Sequence, residues 1–161
     1  MSVVISDTSP LRALAHLGHV EWLEALFKRV LLPPAVAFEL RHPPPAYRLI
    51  EVSDWTFLEV LAPTNAARVA ELRSSLDIGE AEAIALAEEF QADIVLIDEM
   101  AGRETARTCG FTVLGTWGLL VCAKRSGLNK SVAPLLDRLR SELNFFISDE
   151  LRRTILRQAG E

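Results

Sequence analysis

The chain alternates short apolar runs with longer amphipathic segments. Residues 3–5, 30–32, 94–97 and 111–114 are mainly apolar runs rich in branched side chains, a pattern typical of strands buried on both faces of a parallel sheet. Residues 57–61 form a weaker run, which predicts a short edge strand. The pattern therefore predicts a sheet of four or five strands.

Helices are predicted between these strands from apolar positions three and four residues apart. Ser9 is predicted to be an N-cap with Pro10 at the first helical position, and Gly18 is predicted to end that helix. Pro33 and Pro34 open a later helix. The other predicted helices cover residues 20–27, 66–76, 80–90, 99–109, 131–142 and 148–159, and a turn over residues 115–118 leads into a helix through residue 124.

Strands separated by helices along one chain define an α/β fold with three layers. A central, mostly parallel, twisted sheet is expected to lie between two layers of helices. At 161 residues, without repeats, low-complexity segments or linkers, the chain is expected to form a single domain over residues 1–161.

The composition is that of a soluble globular protein, with 50% hydrophobic and 24% charged residues. The longest apolar runs are too short to span a bilayer, and no basic segment followed by an apolar one marks an exported protein. Cys109 and Cys122 lack the spacing of a zinc or redox motif. We therefore expect a cytoplasmic protein with free thiols and no membrane partner.

The charge distribution is uneven along the chain. The net charge of −5 disfavours an extended surface that coats nucleic acid, although clustered acids at a metal site would also lower it. Most basic residues follow residue 100, where helical folding either gathers them into a patch or leaves them on solvated helix faces. They are Arg103, Arg107, Lys124, Arg125, Lys130, Arg138, Arg140, Arg152, Arg153 and Arg157.

Two acidic residues, Asp7 and Asp98, closely follow strongly apolar strands. In open α/β sheets, ligands bind at this carboxyl edge, near the point where the strand order reverses. Each residue could instead cap a helix or form a turn, but two such residues at one edge favour a functional site. We predict that they lie on adjacent strands.

Glu39 lies on the apolar face of the helix opened by Pro33 and Pro34. A charge in such a position is unfavourable unless something compensates it. Glu39 is therefore expected either to pair with Arg41 or Arg48, or to coordinate a ligand.

The segment over residues 76–84 contains three acids with different expected roles. Glu80 shares its helix face with the apolar residues that must pack inward, so it is predicted to be a site residue. Asp77, three residues earlier, is interpreted as the helix cap. Glu82 falls on the opposite side and is expected to face water.

Converging carboxylates from Asp7, Glu39, Glu80 and Asp98 would suit a hard divalent cation such as Mg²⁺ or Mn²⁺. A site of this kind supports phosphodiester hydrolysis by an activated water, without a protein nucleophile. Glu99 could form a helix salt bridge with Arg103, or both could belong to the site. The accessory candidates at the same edge are Thr8, Ser9, Asp77, Glu99, Arg103 and Thr116.

Several motifs occur in order over nearly the whole chain. They are VISDTSPL at residues 4–11, PPAVAFEL at 33–40, LDIGEAEAI at 76–84, LIDEMAGR at 96–103, Gly115-Thr116, and the segment 123–128. This ordered set resembles the PIN-domain superfamily of Mg²⁺-dependent ribonucleases. It is most similar to short prokaryotic PIN-like proteins related to the VapC-type toxins of toxin–antitoxin systems.

The resemblance implies a PIN-like fold and a metal-dependent endoribonuclease that uses Mg²⁺ or Mn²⁺. Asp7, Glu39 and Asp98 fall on three of the family's acidic positions. The remaining position is usually Asp in VapC-like members and is assigned here to Glu80, with Asp77 as the alternative. The resemblance also implies an RNA substrate, a small antitoxin partner and a homodimer.

Two other classes of protein stay open at this point. The Glu at position 80 and the acidic net charge are compatible with a catalytically weak or inactive PIN-like module that binds RNA or protein. A receiver-like or nucleotide-binding α/β domain is disfavoured, because the first strand does not end in an acidic pair and no Gly-rich phosphate loop occurs.

Overall fold

The computed structural model describes residues 2–161, within which five short strands form one parallel sheet. The strand order is β3-β2-β1-β4-β5, and every neighbouring pair is parallel. This confirms the predicted α/β class and the edge position of β3. The strands are β1 (Val4–Ser6), β2 (Val30–Leu32), β3 (Leu58–Val60), β4 (Ile94–Leu96) and β5 (Thr112–Leu114).

Helices connect the strands and extend the chain beyond β5. Within residues 2–161, every helix is too short or too polar to cross a bilayer. The helices are α1 (Thr8–Leu17), α2 (Trp22–Phe27), α3 (Pro34–Arg41), α4 (Ala66–Leu72), α5 (Ile78–Phe90), α6 (Met100–Thr108), α7 (Thr116–Arg125), α8 (Ala133–Leu143) and α9 (Asp149–Gln158), with a 3₁₀ turn at Val52–Asp54.

Alternating side chains of the strands pack into cores on opposite faces of the sheet. On one face, Val4 of β1 belongs to a cluster with Leu14 of α1 and Leu120 of α7. On the other face, Ile5 packs with Leu86 of α5. Because successive residues of a strand point to opposite faces, covering both faces needs the three layers that the sequence predicted.

Two predicted helix starts are wrong. Helix α1 begins at Thr8 with Asp7 in the N-cap position, so Ser9 is not the cap, and Pro10 is the third helical residue. Proline fits there because the first amides of a helix have no intrahelical acceptor. Helix α7 begins at Thr116 directly after Gly115, so the predicted turn over residues 115–118 is mostly helix.

Other element boundaries agree with the sequence to within a few residues. Gly18 ends α1 in the left-handed conformation at φ 81°, as its missing side chain allows. Ser148 caps α9 by accepting a hydrogen bond from the Leu151 amide at 3.0 Å. Helix α4 ends at Leu72, earlier than predicted.

Candidate active site

The carboxyl ends of β1 and β4 form the sheet edge at which the candidate acids lie. The two strands are neighbours, with Ser6 opposite Leu96, and the Asp7 amide donates to the Leu96 carbonyl at 2.8 Å. Since β2 lies on the other side of β1, the strand order reverses here, as it does at ligand sites of open α/β sheets. The strands preceding Asp7 and Asp98 are adjacent, as predicted.

Asp7 is a buried acid that forms no ion pair with another side chain of residues 2–161. Its side chain is 4% exposed and makes no capping hydrogen bond to α1. Burial raises the pKa of Asp7 to about 8, the nearby Thr8 amide opposes this shift, and the negative charges of Asp77, Glu80 and Glu39 add to it. A positively charged ligand nearby would stabilise the ionised form of such a buried carboxyl group.

Glu39 reaches the site from α3 and is held by α1. The Thr8 hydroxyl donates to Glu39 Oε2 at 2.5 Å, and Arg12 Nη2 donates to the Glu39 backbone carbonyl at 2.9 Å. Within residues 2–161, neither of the predicted alternative partners, Arg41 and Arg48, forms an ion pair with Glu39. The Glu39 carboxylate is therefore oriented by a neutral hydroxyl rather than by an arginine.

Gly79, in the first turn of α5, lies where two of the carboxylates meet. A Cβ atom built on Gly79 would be 3.0 Å from Glu39 Oε1 and 3.2 Å from Asp7 Oδ1. The two carboxylates therefore lie no farther apart than the sum of these distances. A side chain at this position would push at least one of them away.

Glu80 and Asp77 form a capping box at the start of α5. Asp77 Oδ1 accepts from the Glu80 amide at 2.8 Å, and Glu80 Oε2 accepts from the Asp77 amide at 3.3 Å. Glu80 is 5% exposed. Burial raises the pKa of Glu80, the charges of Asp77, Glu99 and Glu39 raise it further, and the Asp77 amide opposes them. Asp77 is the helix cap that the sequence predicted, whereas Glu80 is a buried acid close to other acids.

Asp98 has different surroundings from Asp7. The Thr116 amide donates to Asp98 Oδ1 at 2.7 Å, and the Thr116 hydroxyl donates to Oδ2 at 2.6 Å. Burial raises the pKa of Asp98, while these hydrogen bonds and the charge of Arg103 oppose the shift. A Cβ atom on Gly115 would lie 2.8 Å from Asp98 Oδ1, so the missing side chain permits this close approach.

The remaining accessory candidates make few contacts with the acids. Arg103 Nη1 donates to the Ile97 carbonyl at 3.0 Å, and no ion pair between Arg103 and Glu99 forms within the described residues. Glu99 is exposed at the start of α6. Ser9 is half-buried in the first turn of α1.

Glu82 has a structural role that contradicts its predicted exposure to water. Its Oε2 accepts a hydrogen bond from the Ala35 amide at 2.9 Å, at the start of the helix that carries Glu39. Pro33 and Pro34 lack amide hydrogens, so Ala35 has the first donor of that helix, and it needs an acceptor. The double proline was a signal for such a partner, although it does not indicate which residue supplies it.

The acids have the right chemistry to bind a divalent cation, but their side chains are not positioned to coordinate one. Asp7, Glu39 and Glu80 supply the hard oxygen ligands that Mg²⁺ prefers. Burial, together with the charges of neighbouring acids, raises the pKa of Asp7. Within residues 2–161, however, no three Asp, Glu, His or Cys side chains are grouped so that they could hold a metal ion. Coordination would therefore require rotation of these side chains.

The parallel five-stranded sheet, with buried acids where its strand order reverses, defines an α/β protein with a nuclease-type fold. The chain matches the family DUF3368, described as a PIN domain, over residues 3–161, and it belongs to this family. No curated protein and no solved structure shows significant similarity to it. The family match confirms the resemblance to the PIN-domain superfamily that was inferred from the motifs.

Proposed function

We propose that this protein is an endoribonuclease that uses Mg²⁺ or Mn²⁺ to hydrolyse RNA phosphodiester bonds. The observation that supports this most strongly is the buried, uncompensated Asp7 beside Glu39 and Glu80. It lies at the strand-order reversal of a PIN domain. Such a group of acids is unfavourable by itself and becomes favourable around a cation.

In this proposal Asp7, Glu39 and Glu80 hold the cation, and Asp98 completes the acidic set. The cation would lower the pKa of a water molecule and stabilise the charge on the leaving oxygen. Thr8 keeps the Glu39 carboxylate turned toward Asp7. Burial of Asp7 excludes competing water and strengthens its interaction with any positive charge nearby.

We also infer a biological setting from the resemblance to VapC-type toxins. In that setting the protein is a cytoplasmic, homodimeric toxin, and a small antitoxin protein neutralises it. Support for this part of the proposal comes from the motif resemblance and the PIN-domain match.

The decisive experiment is cleavage of a mixed-sequence single-stranded RNA in Mn²⁺, in Mg²⁺ and in EDTA. We expect cleavage with either metal, none in EDTA, and a loss of about 100-fold or more in Asp7→Asn, because metal-site electrostatics commonly supply several kcal/mol. Asp54→Asn is the matched control, since Asp54 is exposed on the 3₁₀ turn. Cleavage that persists in EDTA, or that is equal in the two variants, would contradict the proposal.

One observation favours a second candidate, a PIN-like module that binds RNA or protein without cleaving it. Both carboxylate oxygens of Asp98 accept hydrogen bonds from Thr116, which reduces their capacity to bind a cation. Thermal melting separates the candidates, because a cation that binds the folded state raises the melting temperature. RNA binding with neither cleavage nor a response to millimolar Mg²⁺ or Mn²⁺ would favour the second candidate.

A further inference from the structure

A cleft of about 600 Å³ opens next to Asp98, on the side of β5 rather than of β1. Its walls come from the start of α6, the first turn of α7, the segment before α9, and α9 itself. This volume lies within the range of about 300–1,000 Å³ typical of small-molecule sites. Asp98 lies at the acidic edge and also lines this cleft, so a ligand in the cleft would adjoin Asp98.

The cleft exposes apolar and aromatic side chains. Phe146, in the loop between α8 and α9, is 89% exposed, and Met100 is 68% exposed. The rings of Trp117 and Phe145, which also line the cleft, meet edge to face, with centroids 5.6 Å apart and an interplanar angle of 72°, a favourable aromatic geometry. The cleft thus combines an edge-to-face aromatic pair with a highly exposed phenyl ring.

Two arginines on α6 supply positive charge beside this aromatic surface. Arg103 lines the cleft, and Arg107, one turn further along the helix, is exposed. Neither forms an ion pair with a residue of the described chain. Burial and the charge of Arg107 lower the pKa of Arg103, and the nearby charge of Asp98 opposes this shift. Like charges one turn apart repel each other, so an anion bound between them would be stabilised.

We propose that this cleft binds one unpaired base of a single-stranded RNA, with the base stacked on Phe146 and a flanking phosphate on Arg103 and Arg107. Proteins that bind single strands combine aromatic stacking surfaces with cationic contacts to the backbone. A base inside a duplex is already stacked between its neighbours and cannot enter the cleft. The proposal rests on the nuclease assignment and extends it by naming where a nucleotide next to the cleaved bond would lie.

The test measures binding of a fluorescent single-stranded RNA octamer and of its duplex, in EDTA and low salt. Because EDTA removes the cation, this assay does not depend on cleavage. We expect preference for the single strand and a 5- to 100-fold weaker Kd in Phe146→Ala, roughly the range commonly lost with one stacked base. Phe146→Trp should restore binding. Phe90→Ala is the matched control, since Phe90 is also exposed but lines a pocket with Ser2 and Arg29 instead.

Arg107→Gln tests the phosphate contact independently of the stacked base. It should weaken binding to all sequences and reduce the slope of log K against log salt by about one, as loss of one phosphate contact does. Unchanged binding in Phe146→Ala, equal binding of duplex and single strand, or no binding by the wild type would each overturn the proposal. A change from dimer to monomer in Phe146→Ala would also overturn it, because the cleft would then be an interface between copies.

The outcomes keep this proposal separate from the nuclease assignment. Loss of binding in Phe146→Ala, without metal-dependent cleavage by the wild type, would support the base site and reject the nuclease. Metal-dependent cleavage that is unaffected by Phe146→Ala would support the nuclease and reject the base site.

Discussion

Replacement of Asp7 by asparagine should make the metal-free protein more stable at alkaline pH. The pKa of Asp7 is raised from 3.8 to about 8 in the folded protein, so the folded state holds a proton that the unfolded state releases. The contribution of Asp7 to stability is therefore fully present below about pH 4 and is lost as the pH rises from about 4 to about 8. The asparagine amide is neutral at every pH, so Asp7→Asn should not show this loss.

The expected size of the effect follows from the width of that pH window. Roughly four pH units at about 1.4 kcal/mol each set an upper limit of about 6 kcal/mol. Side-chain rotation and water entry reduce this value, so we expect Asp7→Asn to be about 2–4 kcal/mol more stable than the wild type at pH 9. Near pH 4 the two proteins should be similar.

Urea denaturation in EDTA at pH 4.5, 7 and 9 measures this free energy of unfolding directly. The exposed control Asp54→Asn should follow the wild type at each pH. Addition of Mg²⁺ at pH 7 should stabilise the wild type and leave Asp7→Asn almost unchanged. The reasoning would be refuted if the stability difference between Asp7→Asn and the wild type did not grow between pH 4.5 and 9, or if Asp7→Asn were the less stable protein at pH 9.

Four further variants test the arrangement of the acids. Gly79→Ala should keep the fold but reduce RNA cleavage at least tenfold, because its Cβ would lie 3.0 Å from a carboxylate oxygen; wild-type activity would show that the acids do not converge there. Thr116→Val removes a hydroxyl that donates a hydrogen bond to Asp98. It should lower the free energy of unfolding, measured in urea, by about 1–2 kcal/mol. An unchanged free energy of unfolding would show that this hydrogen bond does not stabilise the fold. Glu80→Gln should cut cleavage by a large factor and Asp77→Asn should not, since Asn remains a good N-cap; the opposite result in the cleavage assay would assign the metal-binding role to Asp77.

Local sequence patterns were sufficient to predict most of the fold. Residues 30–32 were predicted as a strand and form β2 with the same bounds. A short run of branched apolar residues is typical of a strand that is buried on both faces of a parallel sheet. Gly18 was predicted to end a helix because it lacks a side chain, and it does so. A helix was predicted from residue 148, and Ser148 is its N-cap. The start of α1 was predicted wrongly, because proline is tolerated throughout a first helical turn and does not mark its exact origin.

The acidic character of the sheet edge was also determined by the sequence. Asp7 follows β1 and Asp98 follows β4, and parallel strands bring their carboxyl ends to one side of a sheet. Asp77 was identified as a helix cap because the capping box depends only on residues three apart. In each of these cases the interacting groups are close in the chain or related by regular geometry.

Only the tertiary structure decided which partner each acid has. Glu82 reaches the Ala35 amide across 47 residues, although its position on α5 suggested exposure to water. Asp98 is bonded to Thr116, 18 residues away, whereas Asp7, at the same edge, is left uncompensated among other acids. These differences depend on how whole helices pack against the sheet, and burial determines the pKa of a carboxylate only after that packing is complete.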